Sequence, residues 1–144
     1  GPNGGKPLWR DRFGAWHVNR GSIVEAHITF KLGEHQRNLV LTDVLPEGLA
    51  TSENGLPKGF YLWATRAGKE MSGAKYSTDW PQKTSVDGCF VRGFGSNFDA
   101  GSYSFVYQFS ALQKGTYSID PPVLASPYYY SQRTIGRADK LVVD

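Results

Sequence analysis

Ser102–Tyr130 reads SYSFVYQFSALQKGTYSIDPPVLASPYYY, and its pattern decides the fold class. Tyr103, Phe105, Tyr107, Phe109 and Ala111 fall on one face of an extended chain. Ser102, Ser104, Gln108 and Ser110 fall on the other, interrupted by Val106. Alternation with period two marks a strand with one buried face. Gln113-Lys114-Gly115 reads as a short turn, and Thr116–Ile119 as a returning strand, so the stretch predicts a β-hairpin. Pro121-Pro122 then stops the ladder, because proline has no N–H to donate.

Working outward, short strands recur along the chain. Phe13–Val18 is a candidate first strand. Ile23–Lys31 alternates clearly, with Val24, Ala26, Ile28 and Phe30 inward and Glu25, His27, Thr29 and Lys31 outward. Leu39–Leu45 is strongly β-prone and is ended by Pro46-Glu47-Gly48, where proline sets φ and glycine permits a turn. Phe60–Thr65 and Val86–Arg92 read as further strands, separated by a polar connection over Arg66–Ser77. Gly93–Gly101 reads as a glycine-rich loop. Tyr128–Tyr130 and Leu141–Val143 read as short closing strands. Thr51–Gly59 reads as a loop, and residues 1–12 as a loose arm. No segment of ten residues or more carries a helical period. The whole predicts an all-β, antiparallel β-sandwich of about seven to nine strands, macroglobulin- or immunoglobulin-like. Residues 1–19 form an arm that opens on Gly1-Pro2, which looks like a tag remnant. Residues 20–144 form the domain, read as a piece of a larger protein.

Bulk composition fits this. A chain of 144 residues suits one domain able to bury a core. Hydrophobic residues at 40% and charged residues at 20% exclude a disordered chain. Aromatic residues at 14% suit pleated surfaces, and 17 glycines with 8 prolines supply many turns. The net charge of +3 is mild and scattered, so no stripe for nucleic acid stands out. No apolar run is long enough to span a bilayer.

Catalytic and metal chemistry find little footing. Cys89 is the sole cysteine, so no disulfide forms within the chain. With Phe90 and Val91 beside it in an expected strand, it reads as a small core residue rather than a nucleophile. His17, His27 and His35 show no ligand spacing for zinc. Asp87-Gly88 and Asp99-Ala100-Gly101 read as turns rather than calcium ligands. Gly93-Phe94-Gly95 precedes no helix and so offers no phosphate cradle. No cofactor is expected. Trp9, Trp16, Trp63 and Trp80, with Tyr128–Tyr130, suit either a sugar-stacking platform or a sandwich core. Trp63 is expected in the core, and Trp80, before Pro81, in an exposed loop.

Three motifs follow in order: LVLTDVLPEGL over Leu39–Leu49, VYQFSALQKGTYSIDPP over Val106–Pro122, and SPYYYSQRTIGRADKLVVD over Ser126–Asp144. Together they resemble the C-terminal domain of bacterial alpha-2-macroglobulin-like proteins across about Arg20–Asp144. That domain carries Asp-x-Leu-Pro-x-Gly, matched by Asp43, Leu45, Pro46 and Gly48. Its Tyr-x-x-Arg-Ala, Gly-x-Tyr and proline pair are matched by Tyr107, Ala111, Gly115, Tyr117 and Pro122. Tyr128 matches a closing Met-Tyr. Ser110 stands where the family has arginine, Pro127 where it has methionine, and Tyr130 where it has proline.

The resemblance implies a non-catalytic structural domain of a protease trap, an endopeptidase inhibitor whose bait is cut by the protease it captures. The thioester motif of such traps is Cys-x-x-Gln. Cys89 is followed by Phe90, Val91 and Arg92, so this chain does not carry it. Partners would be neighbouring domains and, through the parent chain, target proteases. Location would be the periplasm or cell envelope, with any membrane anchor elsewhere in the parent. Interfaces concentrate energy in aromatic and arginine residues, which singles out Trp80, Phe94, Phe98, Arg133 and Arg137 as contacts expected on exposed loops. An adhesin-type surface repeat and a carbohydrate-binding module are the alternative classes.

Overall fold

The computed structural model describes residues 8–49, 65–66, 69–70, 80–126, 132–134 and 138–144. Among them are thirteen strands, one 3-10 turn at Glu47–Leu49 and no α-helix. The strands are β1 (Leu8–Arg10), β2 (Trp16–Val18), β3 (Ile23–Leu32), β4 (Gln36–Val44), β5 (Thr65–Arg66), β6 (Lys69–Glu70) and β7 (Lys83–Asp87). The remainder are β8 (Phe90–Phe98), β9 (Gly101–Ser110), β10 (Gly115–Ile119), β11 (Val123–Ala125), β12 (Gln132–Thr134) and β13 (Asp139–Val143). Seven of them, β3, β4, β7, β8, β9, β10 and β13, have five residues or more.

The result is an all-β sandwich. One layer is a five-stranded sheet in the order β12-β11-β4-β8-β7. Against it lies the two-stranded β3–β9 ribbon, and a four-stranded sheet in the order β1-β2-β13-β10 adds to the same core. All pairs are antiparallel except β2 with β13. β5 and β6 form a separate small pair. A single cluster of buried side chains drawn from β2, β3, β4, β8, β9, β11 and β13 fills the interior.

The alternating stretch is a strand as its pattern requires, but it is not the first arm of a hairpin. β9 pairs with β3 over ten residues, from Ile23 opposite Ser110 to Leu32 opposite Gly101. β10 pairs with β13 instead. Two backbone bonds fasten the end of β9 to the start of β3: Gly21 N–H to the Ala111 carbonyl at 2.7 Å, and Ala111 N–H to the Ser22 carbonyl at 2.9 Å. β3 offers ten rungs where β10 has only five residues, and the longer partner wins. The chain from Ala111 to Lys114 therefore crosses between sheets. Pro121-Pro122 does end β10, and β11 starts directly after it.

Two further expectations are corrected. The strand expected over Val86–Arg92 is a tight β7–β8 hairpin, with Asp87 opposite Phe90 and only Gly88 and Cys89 between them. Gly88 has φ +59°, which glycine adopts at no steric cost. The glycine-rich loop expected over 93–101 is mostly strand, because β8 runs on to Phe98. Its glycines make room for rings. A Cβ on Gly93 would come within 2.4 Å of the Phe105 ring, and one on Gly95 within 2.4 Å of the Phe98 ring. The arm expected over residues 1–12 is strand from Leu8 onward, paired with β2. The expectations for Trp63, for the segments over Thr51–Gly59 and Tyr128–Tyr130, and for Phe60–Thr65 and Arg66–Ser77 other than Thr65, Arg66, Lys69 and Glu70 lie outside the described residues.

Candidate functional site

The interaction residues expected on loops are distributed otherwise. Trp80 is buried at 6% exposure and Phe98 at 0%. Trp80 packs edge-on against Phe30 at 5.4 Å and lies against Phe98 and Phe105, at 5.3 and 5.8 Å between ring centres. Its indole N–H donates to the Ser104 carbonyl at 2.8 Å, so the ring can sit in the core with its one polar atom satisfied. Phe98 packs on Tyr103 and Phe30. Both residues are core anchors, and the reason is non-local: the missing Cβ of Gly93 opens the space that Phe105 and Trp80 fill. Phe94 is half-buried on β8. Arg133 lies on β12 opposite Leu124. Arg137 and Tyr128 lie outside the described residues. Cys89 is half-buried at the β7–β8 turn rather than in the core, and its carbonyl accepts from Leu45 N–H.

Among the described residues, Trp9, Trp16 and Trp80 make no shared platform. Trp9 and His17 lie opposite each other on β1 and β2 and stack at 4.2 Å, whereas Trp16, one residue from His17, points to the other face of that sheet.

The motif residues, by contrast, converge. Asp43 near the end of β4 is buried and accepts a hydrogen bond from the Tyr107 hydroxyl of β9. Burial pushes the Asp43 carboxyl above its ordinary value, with hydrogen bonds from Tyr107 and the Val44 backbone opposing. Burial, with the Asp43 charge beside it, also pushes the Tyr107 phenol well up. Leu45 and Leu49 are buried in the same core. Gly48 packs under Tyr117 so closely that a Cβ would meet the ring at 2.5 Å. The Tyr117 hydroxyl donates to the Gln113 carbonyl at 2.6 Å, and the Tyr103 hydroxyl to the Asp99 carbonyl at 2.6 Å. Each reaches back four residues to pin the turn before its strand, as the tyrosine corner of β-sandwiches does. Asp43, Leu45, Gly48, Tyr107 and Tyr117 thus tie β4, β9 and β10 together.

Beside Asp43 a groove of about 520 Å³ opens between β3 and the inner face of the four-stranded sheet. Val24 through Thr29 line it without a gap. Alternate residues of a strand point to opposite faces, so an unbroken run means the groove follows the first part of β3 rather than one of its faces. The apolar part of the opposite wall comes from Leu8, Trp16, Ile119 and Leu141, and carboxylates of Glu25, Asp43, Asp120 and Asp139 border it. Sequence reading passed over this site, since its walls come from strands far apart in the chain.

On the outer face, His17 sits between two carboxylates. Its Nε2 is 2.8 Å from Asp11 Oδ2 and its Nδ1 3.2 Å from Asp144 Oδ2. The hydrogen bond to Asp11 is the main cause that raises the imidazole above its ordinary 6.5, and the same bond lowers Asp11. Asp11 also accepts from the N–H groups of Phe13 and Ala15 and so closes the β1–β2 turn. Among the described residues, no three His, Cys, Asp or Glu side chains converge to hold a metal ion. His27 bonds to Glu25 on the exposed side of β3. No helix among the described residues is long and apolar enough to cross a membrane.

Models of known protein families and curated protein sequences contain no match to this chain.

Proposed function

We propose that this chain is a non-catalytic structural and interaction domain of a larger protein, of the kind that ends bacterial alpha-2-macroglobulin-like protease traps. One observation carries the reading. Four of the residues that make the resemblance, separated by up to 74 positions from Asp43 to Tyr117, meet in two pairs that join its first motif to its second: Asp43 on Tyr107, and Gly48 under Tyr117. A set of motifs that folds into one junction behaves as a unit, which is what a family signature requires. In this reading the domain packs against neighbouring domains of the parent chain and supports its conformational change. Target proteases meet it through the parent, and the site of action is the periplasm or cell envelope.

Native gel mobility of the full parent, with and without a broad-specificity protease, tests this. The intact parent should shift to a compact form that retains the protease, and a parent lacking residues 20–144 should not. An intact parent that no protease alters would overturn the inhibitor reading and leave adhesion or glycan binding as the function to assay.

A further inference from the structure

The groove along β3 combines three properties that matter together. Its lining is mostly apolar, through Trp16, Ile119 and Leu141. Its volume, about 520 Å³, falls within the range of sites that hold small ligands or a few side chains. Its charge is mostly acidic: Glu25, Asp43, Asp120 and Asp139 are among its lining residues, against His27 and the Arg10 guanidinium, which lies 4.8 Å from the centre of the Trp16 ring. His27 is bonded to Glu25, and Asp139 meets Arg10 at 3.3 Å. Neither Asp43 nor Asp120 meets a cationic side chain among the described residues. Asp43 is 5% exposed, and a buried carboxylate with no cation nearby is costly as an anion. Asp120 stands at the mouth, exposed, beside the Pro121-Pro122 stop that keeps it off any ladder.

From this arrangement we infer that the groove is a docking site for a segment of a partner polypeptide in which a lysine or arginine is flanked by apolar side chains. The apolar flanks cover Leu8, Ile119 and the part of Trp16 that Arg10 leaves open. The cationic head enters between Asp120 and Asp43, where it supplies the counter-charge that buried Asp43 lacks and meets the exposed Asp120 at the mouth. Lysine and arginine fit such a site because their alkyl stems lie on apolar surface while the head reaches the charge. An acidic or purely apolar segment would leave Asp43 buried beside like charge or beside no charge at all. The inference stands on the groove alone and is independent of the protease-trap reading.

The test uses the 144-residue chain and short synthetic peptides, with the Trp16 indole and the β3 amides followed by NMR. A valine-rich peptide with a central arginine should shift Trp16, Ile119 and Val24–Thr29. The same peptide with glutamate in place of arginine should leave them unmoved. Binding should weaken as salt rises. Asp43→Asn keeps an acceptor for Tyr107 yet removes the buried charge, and should weaken the arginine peptide by about tenfold or more. Asp120→Asn, on the surface, should weaken it by roughly threefold with the spectrum of the free protein otherwise unchanged. Equal binding of the glutamate peptide, no shift along β3 with either peptide, or unchanged affinity in Asp120→Asn would each overturn the assignment.

Discussion

The β3–β9 ribbon has two ends, and they are built to opposite plans. At the Leu32–Gly101 end, Phe30, Trp80, Phe98, Tyr103 and Phe105 stack and tilt against one another with ring centres 5.2 to 6.3 Å apart. Gly93 and Gly95 withdraw their side chains so that the rings can close. Trp80 and Tyr103 each spend their polar atom on a backbone carbonyl. Towards the Ile23–Ser110 end lie Val24, Ala26 and Phe109, the four-stranded sheet turns its inner face towards β3, and a groove with a buried carboxylate remains. One strand pair therefore carries both the anchor of the fold and its open surface.

Changes at the closed end should do the most damage. Phe105→Ala removes a ring with 0% exposure from the centre of the cluster, and about 3–5 kcal/mol of stability should be lost in urea unfolding. Next comes Gly93→Ala, whose new methyl would sit 2.4 Å from the Phe105 ring. Overpacking of this sort costs about 1–3 kcal/mol. Gly33→Ala, where nothing lies within 4 Å, should stay within about 0.5 kcal/mol. Equal losses for the two glycines would remove the steric argument for the glycines of β8.

At the junction between the ends, Tyr107→Phe deprives Asp43 of its hydroxyl donor and should cost about 1–3 kcal/mol at neutral pH. The same carboxyl sets a pH slope. Its folded value is raised above the ordinary 3.8, so the unfolded chain loses the proton first as pH rises. The benefit is full below 3.8 and is lost as pH climbs through the raised value. Asp43→Asn should flatten that part of the curve of midpoint against pH.

The smallest effect belongs to His17. Its raised value means that its contribution is complete below 6.5 and disappears as pH rises through the folded value, while lowered Asp11 contributes above 3.8 and fades as pH falls below it. The clasp on the β1–β2 turn is therefore strongest in weak acid. An NMR titration of the His17 ring should give a value above 6.5 that falls back towards it in Asp11→Asn. A ring that titrates identically in both proteins would remove the clasp from consideration.

Much of the β3–β9 ribbon was legible as pattern. The alternation over Ser102–Ala111 correctly put Tyr103, Phe105, Tyr107 and Phe109 on a buried face, and that of Ile23–Lys31 put Val24, Ile28 and Phe30 there too. The glycines of β8 were misread, because a glycine that clears space for a ring looks the same in sequence as one that bends a loop. Trp80 was misplaced for the same reason: its pocket is made by Gly93 and Phe105, neither of them near it in the chain. Asp87-Gly88 was legible as a turn, and only the strand read across it over Val86–Arg92 hid the hairpin that this turn makes. Asp43 and Tyr107 were singled out by motif, yet the bond between them joins residues 64 apart and has no local signature.

The sequence by itself determined the class of structure, the strands over Ile23–Lys31 and, to within one residue at its end, Leu39–Leu45, the face each residue of β3 and β9 presents, and the stop at Pro121-Pro122. These follow from backbone geometry within a few residues: a strand alternates its side chains, and proline cannot donate. Tertiary structure alone decided that β9 pairs with β3 and β10 with β13, that Gly93 and Gly95 serve aromatic rings, and that four carboxylates border one groove. Pairing is a competition among all available edges for the longest ladder and the best-covered face, and no local window of residues contains the competitors.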